Sequence, residues 1–197
     1  MCYLENKEFK IIPKNSYEVT RNCAKCGCKT NYINTNNFRV NANGNTIDVW
    51  LIYQCKKCKH TFNLSIYKRV NPFEIDKLEY EKFLSNDKEL AFKCGINKEL
   101  FERNKADISE SNIEYDIIQS KNEVKNASNI IRIYNEYNLK LRIDKLLSNI
   151  LNISRREVKN NIKTGTIFSV SNVKLDKVFQ GKFLEIILKD EFNIEIA

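Results

Sequence analysis

The sequence predicts an α+β protein, and three features of its 197 residues lead to this prediction. Two Cys-x-x-Cys pairs, at 23–26 and 55–58, flank a stretch rich in β-branched and aromatic residues. A helical pattern follows Pro72, and an amphipathic helix pair lies near the C-terminus. We therefore expect an antiparallel β module at 1–70, a helical connector at 71–128 and a small α/β module at 129–197.

The first module contains a predicted β-hairpin. Phe38–Asn41 and Ile47–Tyr53 have strand-forming composition, and Asn43-Gly44 lies between them. This dipeptide favours a type I′ turn, which needs positive φ at both central residues. In the second strand, one face carries Ile47, Val49, Leu51 and Tyr53, and the other carries Asp48, Trp50 and Ile52. His60–Tyr67 alternates in the same way and predicts a further strand.

The connector carries signals for two short helices. Asp87 is placed to begin one helix and Gly95 to end it, while Asn97 is placed to cap the next. Ile113–Ile118 reads as a short strand. The polar segment 119–129 predicts a linker before the last module.

The last module has the clearest helical pattern. Its first helix shows one apolar stripe, formed by Ile143, Leu146, Leu147, Ile150 and Leu151. Ser154 and Glu157 have the spacing of a capping box at the start of a second helix. Gly165 stands where a helix ends in a left-handed residue. Short strands are expected at Ile130–Tyr134, Leu139–Leu141 and Phe183–Leu188.

The two cysteine pairs predict one structural zinc ion bound by Cys23, Cys26, Cys55 and Cys58. Each Cys-x-x-Cys turn points two sulfurs the same way, and a hairpin across the intervening 28 residues would bring the turns together. The arrangement is that of a zinc ribbon. Four thiolates complete a tetrahedron and leave no position for a catalytic water. Cys28 and His60 lie nearby and either could replace one of these ligands, but neither has the spacing of the pairs.

Positive charge is concentrated in two parts of the chain. Residues 1–70 hold 12 Lys and Arg against 4 Asp and Glu, and residues 140–182 hold 10 against 3. Residues 71–139 are acidic, with 10 against 14, and the formal net charge of the chain is +8. Basic blocks of this size attract polyanions, although solubility alone also explains such a charge.

The C-terminal helix pair resembles the alpha-L RNA-binding motif. The resemblance lies in Leu141–Leu147, then Ile153–Val158, then Ile162–Gly165, and covers about residues 141–188. This motif occurs in a ribosomal small-subunit protein and in pseudouridine synthases, so the resemblance implies binding of structured, ribosomal or ribosome-associated RNA. The residues expected to contact RNA are Arg142, Lys145, Arg155, Arg156, Lys159 and Lys163. The chain lacks the family's Val-Asn-Gly turn and has Val170-Ser171-Asn172 there.

The chain also resembles, over nearly its whole length, an uncharacterised bacterial family, domain of unknown function 1062. Three segments carry the likeness: Phe38–Gly44, Asp48–Cys55 and Arg69–Pro72. The resemblance supports the zinc-ribbon interpretation and implies no established activity.

Sequence motifs for catalysis are absent. There is no phosphate-binding glycine loop, nucleophile elbow or His-Glu-x-x-His, and His60 is the single histidine. We therefore expect a non-enzymatic protein. No apolar stretch is long enough to span a membrane and no secretory signal is evident, so a cytoplasmic location is expected. The alternative function is a protein-interaction adaptor that uses the ribbon surface. Trp50 and Phe62 are its candidate anchors, and packing in the core is the favoured alternative role of both rings.

Overall fold

The structure is a computed structural model that describes residues 7–120, 129–171, 173–175 and 177–189. Its strands are β1 (Lys7–Pro13), β2 (Glu18–Cys23), β3 (Cys28–Asn43), β4 (Thr46–Cys55), β5 (Thr61–Val70), β6 (Ile108–Ser109), β7 (Tyr115–Gln119), β8 (Ile130–Tyr134), β9 (Leu141–Arg142), β10 (Ile167–Ser169), β11 (Val178–Phe179) and β12 (Phe183–Leu188). Its α-helices are α1 (Lys77–Leu84), α2 (Lys88–Gly95), α3 (Lys98–Arg103), α4 (Ile143–Leu151) and α5 (Arg155–Thr164). Short 3-10 helices lie at Pro72–Glu74 and Glu110–Asn112. The predicted α+β class is confirmed.

The chain forms two units. The cysteine unit is Lys14–Glu114, and the helix-pair unit comprises the described residues of Met1–Pro13 and Tyr115–Ala197. This division differs from the three predicted segments, because β1 joins the second unit and the connector helices join the first. Residues 121–128 of the predicted linker lie outside the described residues.

The cysteine unit is built on an antiparallel sheet in the order β5-β4-β3-β2-β6. The predicted alternation in β4 is confirmed, since Val49, Leu51 and Tyr53 are fully buried and Ile47 is nearly so. Helices α1 and α2 pack on β3, and α3 packs on β5. The helices predicted as a connector therefore cover this sheet, and Phe83 and Phe101 are buried in its core.

The helices of this unit begin at side-chain caps. Asp87 accepts from the amide of Leu90 at 2.8 Å, and Asn97 accepts from the amide of Leu100 at 3.4 Å. These contacts confirm the predicted starts of α2 and α3, because they satisfy amides that have no partner within the helix. Gly95 is the last residue of α2, as predicted.

The β3–β4 hairpin confirms the predicted strands but corrects the predicted turn. Asn43 pairs with Thr46, so Gly44 and Asn45 are the central residues. Of the residues in this turn, Gly44 alone has positive φ, at 62°. A positive φ at the first central residue only is the pattern of a type II′ turn, not of the expected type I′.

The helix-pair unit is built on a mixed sheet in the order β10-β12-β8-β1-β7. Strand β1 runs parallel to β8 and antiparallel to β7, so it lies inside the sheet. The predicted stripe of α4 is confirmed, and all five of its residues are buried. The capping box at Ser154 and the left-handed Gly165 bound α5 as predicted. In the part of the chain that the structure describes, no helix has the length and apolar character to cross a membrane.

Candidate metal centre and basic surface

The four predicted cysteine ligands come together in the cysteine unit. The sulfur atoms of Cys23, Cys26, Cys55 and Cys58 all lie within 4.8 Å of one another. The Cys23 and Cys58 sulfurs are 3.4 Å apart, and those of Cys26 and Cys55 are 3.9 Å apart. A zinc ion with Zn–S bonds of about 2.3 Å would have sulfurs about 3.8 Å apart at the corners of its tetrahedron. The cluster can therefore hold one metal ion.

The two cysteine turns have the same backbone geometry. The amide of Gly27 donates to the carbonyl of Cys23 at 2.9 Å, and the amide of Lys59 donates to the carbonyl of Cys55 at 3.0 Å. Both donors have left-handed backbones, with φ of +65° at Gly27 and +63° at Lys59. Each turn thus begins at the last residue of a strand, β2 or β4, and is closed by a hydrogen bond to the carbonyl of its first cysteine. The matching turns explain why two pairs far apart in sequence present their sulfurs to one point.

Two side chains of β3 contact the cysteine sulfurs. The hydroxyl of Thr30 lies 3.3 Å from the Cys55 sulfur. Hydrogen bonding from Thr30 lowers the pKa of the Cys55 thiol to about 6. A hydrogen bond from Tyr32 likewise lowers the pKa of Cys23. Both contacts favour the thiolate form that binds metals.

The Cys26 thiol responds in the opposite direction. Hydrogen bonding with Cys58, followed by burial, raises the pKa of the Cys26 thiol to about 12. This difference is expected where several thiols share one small space, because ionisation of one disfavours ionisation of the next. A dication at the centre would relieve that repulsion, which is an electrostatic argument for a metal-binding role.

Cys28 and His60 lie outside the four-sulfur cluster. Cys28 is exposed, and its sulfur is 4.0 Å from the Lys57 ammonium. His60 Nδ1 is 3.5 Å from the Tyr32 hydroxyl, so this ring contacts a neighbour of the cluster rather than its centre. Sequence spacing alone predicted that these four cysteines come together. It did not identify Thr30 or Tyr32, because their approach to the sulfurs depends on the pairing of β3 with its neighbours β2 and β4.

The helix-pair unit gathers basic side chains around one acid. The Asp144 carboxylate, at the start of α4, accepts hydrogen bonds from Arg155 at 2.6 and 3.1 Å and from Arg142 at 3.2 and 3.4 Å. The Lys159 ammonium lies 3.7 Å from the same carboxylate. The Asp144 side chain is 10% exposed, whereas those of Arg142 and Lys159 are 59% and 57% exposed. The acid is thus buried beneath cations that reach solvent.

The electrostatics of this cluster favour the ionised acid. Burial alone would raise the pKa of Asp144, but hydrogen bonds and charge from Arg155 and Arg142 outweigh it and hold the pKa at about 2. Three cations around one anion leave the cluster positively charged at neutral pH. The sequence placed Asp144 in the motif but did not reveal that it joins both helices.

The remaining predicted RNA contacts are also on this unit. Lys145, Arg156 and Lys163 are all exposed. We use the term basic face for the six cations Arg142, Lys145, Arg155, Arg156, Lys159 and Lys163. On the opposite side of α5 Val158 is fully buried, which orients the helix as its amphipathic pattern predicts.

Comparison with known proteins places the chain in a family. A family model described as "Protein of unknown function (DUF1062)" matches residues 40–173, which is more than half of the chain. No curated protein and no solved structure matches the chain. The matched region includes Cys55, Cys58 and all six residues of the basic face, and it begins after the first cysteine pair.

Proposed function

The chain belongs to the family described as protein of unknown function DUF1062, and we propose that it is a non-enzymatic zinc protein of the cytoplasm that binds structured RNA. Zinc would be held by the four clustered cysteines, and RNA by the basic face. The observation that carries the RNA proposal is the convergence of Arg142, Arg155 and Lys159 on the buried Asp144 carboxylate.

Zinc is proposed because of the chemistry of the four donors. Soft thiolate ligands favour zinc, Cu(I) or iron–sulfur clusters, and a tetrahedral set of four sulfurs is common for zinc. Cys23 and Cys55 are buried, and all four positions are occupied by protein. The ion would therefore stabilise the fold and not carry out a reaction. Measuring the metal bound per chain by mass spectrometry of purified protein tests this part, and one zinc per chain is the expected value.

Phosphate binding by the basic face follows from the way its cations are ordered. Arg155 makes two hydrogen bonds to Asp144, which fix the plane of its guanidinium. Its side chain remains 46% exposed, so other N–H groups of the same guanidinium can reach a phosphate. Ordering cations in advance reduces the entropy that binding must otherwise remove. A basic helix face whose cations are not held in place by an acid would lack this advantage.

The RNA is expected to be structured and ribosomal or ribosome-associated, in keeping with the alpha-L resemblance. Folded RNA displays phosphates and 2′-hydroxyls in fixed positions, which a rigid cluster can match. The affinity should fall steeply with salt, because each phosphate contact releases condensed counterions. A hydrophobic adaptor would not show this dependence, so salt distinguishes the two functions.

The test is a pair of substitutions on α5. Arg155→Ala with Lys159→Ala should weaken binding to total cellular RNA and reduce the slope of log affinity against log salt by about 2. The matched control is Lys10→Ala with Lys182→Ala, two exposed cations outside α4 and α5. Equal effects of the two double variants, or unchanged affinity in the first, would remove the basic face from RNA binding.

The RNA itself can be identified in cells. Ultraviolet crosslinking of the full chain, followed by sequencing of the attached nucleic acid, should recover structured ribosomal or ribosome-associated RNA. Loss of that signal in the Arg155→Ala, Lys159→Ala variant would tie it to the basic face. Recovery of protein partners alone would favour the adaptor.

A further inference from the structure

A polar cleft lies beside β2 and the end of α3 in the cysteine unit. Its volume is about 510 Å³, which is within the usual range for small-molecule sites. Arg21, Lys29 and Lys105 line it, together with Phe62 and Asp107. None of these residues belongs to the four-cysteine cluster or to the basic face. The cleft is therefore a separate candidate site.

Arg21 is held in this cleft by aromatic rings. Its guanidinium carbon lies 3.9 Å from the centre of the Phe62 ring and 5.8 Å from that of Tyr32. A guanidinium stacked on a ring keeps its N–H groups at its edge, where they can form a two-point contact with an oxyanion. Among the described residues, none accepts a hydrogen bond from these N–H groups. Arg21 is thus oriented while its donors stay available.

The stacking bears on the role of Phe62, for which the sequence offered a partner anchor and core packing as alternatives. One of its faces is covered by Arg21, and it packs in a T-shaped arrangement with Tyr32 at a centroid distance of 6.4 Å. Phe62 therefore serves as a platform that positions a cation.

Lys105 supplies a second cation at a strained backbone position. It follows α3 with φ of +49°. Its amide donates to the backbone carbonyl of Glu102 at 2.9 Å, and the amide of Ala106 donates to the backbone carbonyl of Phe101 at 3.0 Å. This pair of bonds is a Schellman motif, whose left-handed residue is usually glycine. A lysine there strains the backbone where glycine would not, and strain kept at a cleft points to a role for the side chain.

The charges of the cleft favour an anion. Arg21, Lys29 and Lys105 line it against the single carboxylate of Asp107. The ring of Tyr32 contacts Arg21 and its hydroxyl hydrogen-bonds Cys23, so this wall of the cleft adjoins the cysteine turn.

We infer that this cleft binds a phosphate group carried by a nucleotide or a polynucleotide, with Arg21 as the two-point ligand and Lys105 as the second cation. The inference goes beyond the proposed RNA contact and shares no residue with it. The volume of the cleft accommodates a nucleotide. The stacked guanidinium of Arg21 offers a surface for a base as well as donors for phosphate.

The first test uses pyrophosphate as the probe. Isothermal titration of the full chain should show saturable binding, and Arg21→Gln should weaken it by about tenfold or more, as expected for the loss of charge-assisted hydrogen bonds. The matched control is Arg39→Gln, an exposed arginine on β3 outside the cleft, which should leave the affinity unchanged. Equal losses in both variants, or binding that never saturates, would overturn the site.

The second test separates binding from folding. Lys105→Gly should raise the melting temperature, because it relieves the left-handed strain, and should weaken pyrophosphate binding several-fold. A variant that is more stable yet binds less cannot be explained by damage to the fold. Unchanged pyrophosphate affinity in Lys105→Gly would remove this lysine from the site.

The source of the phosphate is distinguished by competition. Displacement of pyrophosphate by uridine monophosphate supports a free nucleotide, and displacement by an oligouridylate without terminal phosphates supports a polynucleotide. Failure of both to compete would overturn the inference. The Arg155→Ala, Lys159→Ala variant should keep its pyrophosphate affinity, so the cleft can be confirmed even if the proposed RNA face fails.

Discussion

Replacing Asp144 by asparagine tests whether a buried acid organises the basic face. Folding lowers the pKa of this carboxyl from 3.8 to about 2, a difference equivalent to about 2–3 kcal/mol. Because the pKa is lower in the folded protein, this stabilisation is present above about pH 4 and is lost as the pH falls from about 4 to about 2. Asp144→Asn should therefore destabilise the helix-pair unit by about 2–3 kcal/mol at pH 7.

Asp144→Asn should lower the affinity for RNA, whereas the change in net charge alone would raise it. The substitution makes the chain more positive, and an exposed charge pair at 4 Å in water contributes about 1 kcal/mol. It also releases Arg142 and Arg155, and ordering two such side chains again costs about 1–3 kcal/mol. The second effect is larger, so Asp144→Asn should bind RNA more weakly despite its added positive charge.

The assay is urea unfolding followed by amide NMR signals of α4 and α5, since these report the helix-pair unit alone. The stability difference between wild type and Asp144→Asn should be large at pH 7 and shrink at pH 3. Glu136→Gln, an exposed acid of the same unit, is the charge-matched control and should change neither stability nor RNA affinity appreciably. A variant as stable as wild type at pH 7, or one that binds RNA more tightly, would refute the reasoning.

Three further predictions concern the cysteine turns and the start of α5. Cys55→Ser should abolish stoichiometric metal binding and lower the melting temperature of the cysteine unit, whereas Cys28→Ser should keep one metal per chain; metal analysis and calorimetry measure both. Lys59→Gly should stabilise its turn by about 1 kcal/mol, and Gly27→Ala should destabilise the matching turn by a similar amount. The two variants should therefore shift the urea midpoint in opposite directions, and shifts in the same direction would contradict this. Ser154→Ala should destabilise the helix-pair unit by about 1 kcal/mol in the same urea experiment, through loss of the cap, and no change would show that the cap is dispensable.

Features of the fold that depend on neighbouring residues could be predicted from the sequence. Asp87 begins α2 and Ser154 begins α5 because each side chain satisfies an amide three residues ahead. The clustering of the four cysteines was predictable for a similar reason, since each pair forms one tight turn whose spacing is visible in the sequence. In these cases the physical cause lies within a few residues of the effect.

Features that depend on distant residues were not predictable. Strand β1 pairs with β8, more than a hundred residues away, and no local pattern marks a parallel partner. The type of the β3–β4 turn was missed because the register moved by one residue, which placed Gly44 first in the turn. Thr30 reaches the Cys55 sulfur for a similar reason, because the pairing of β3 with β4 decides which side chains meet.

Some residues with positive φ are cations, although this backbone conformation favours glycine or asparagine. Among the described residues, four of the seven such non-glycine residues are asparagines, which tolerate this conformation; the other three are Lys59, Arg69 and Lys105. Each of the three should cost about 1 kcal/mol relative to glycine. If the strain were incidental, glycine at all three positions would stabilise the cysteine unit without altering binding. If Lys105 is kept for its charge, glycine there alone should also lower pyrophosphate affinity, so the three variants compared side by side distinguish an accident of composition from a functional residue.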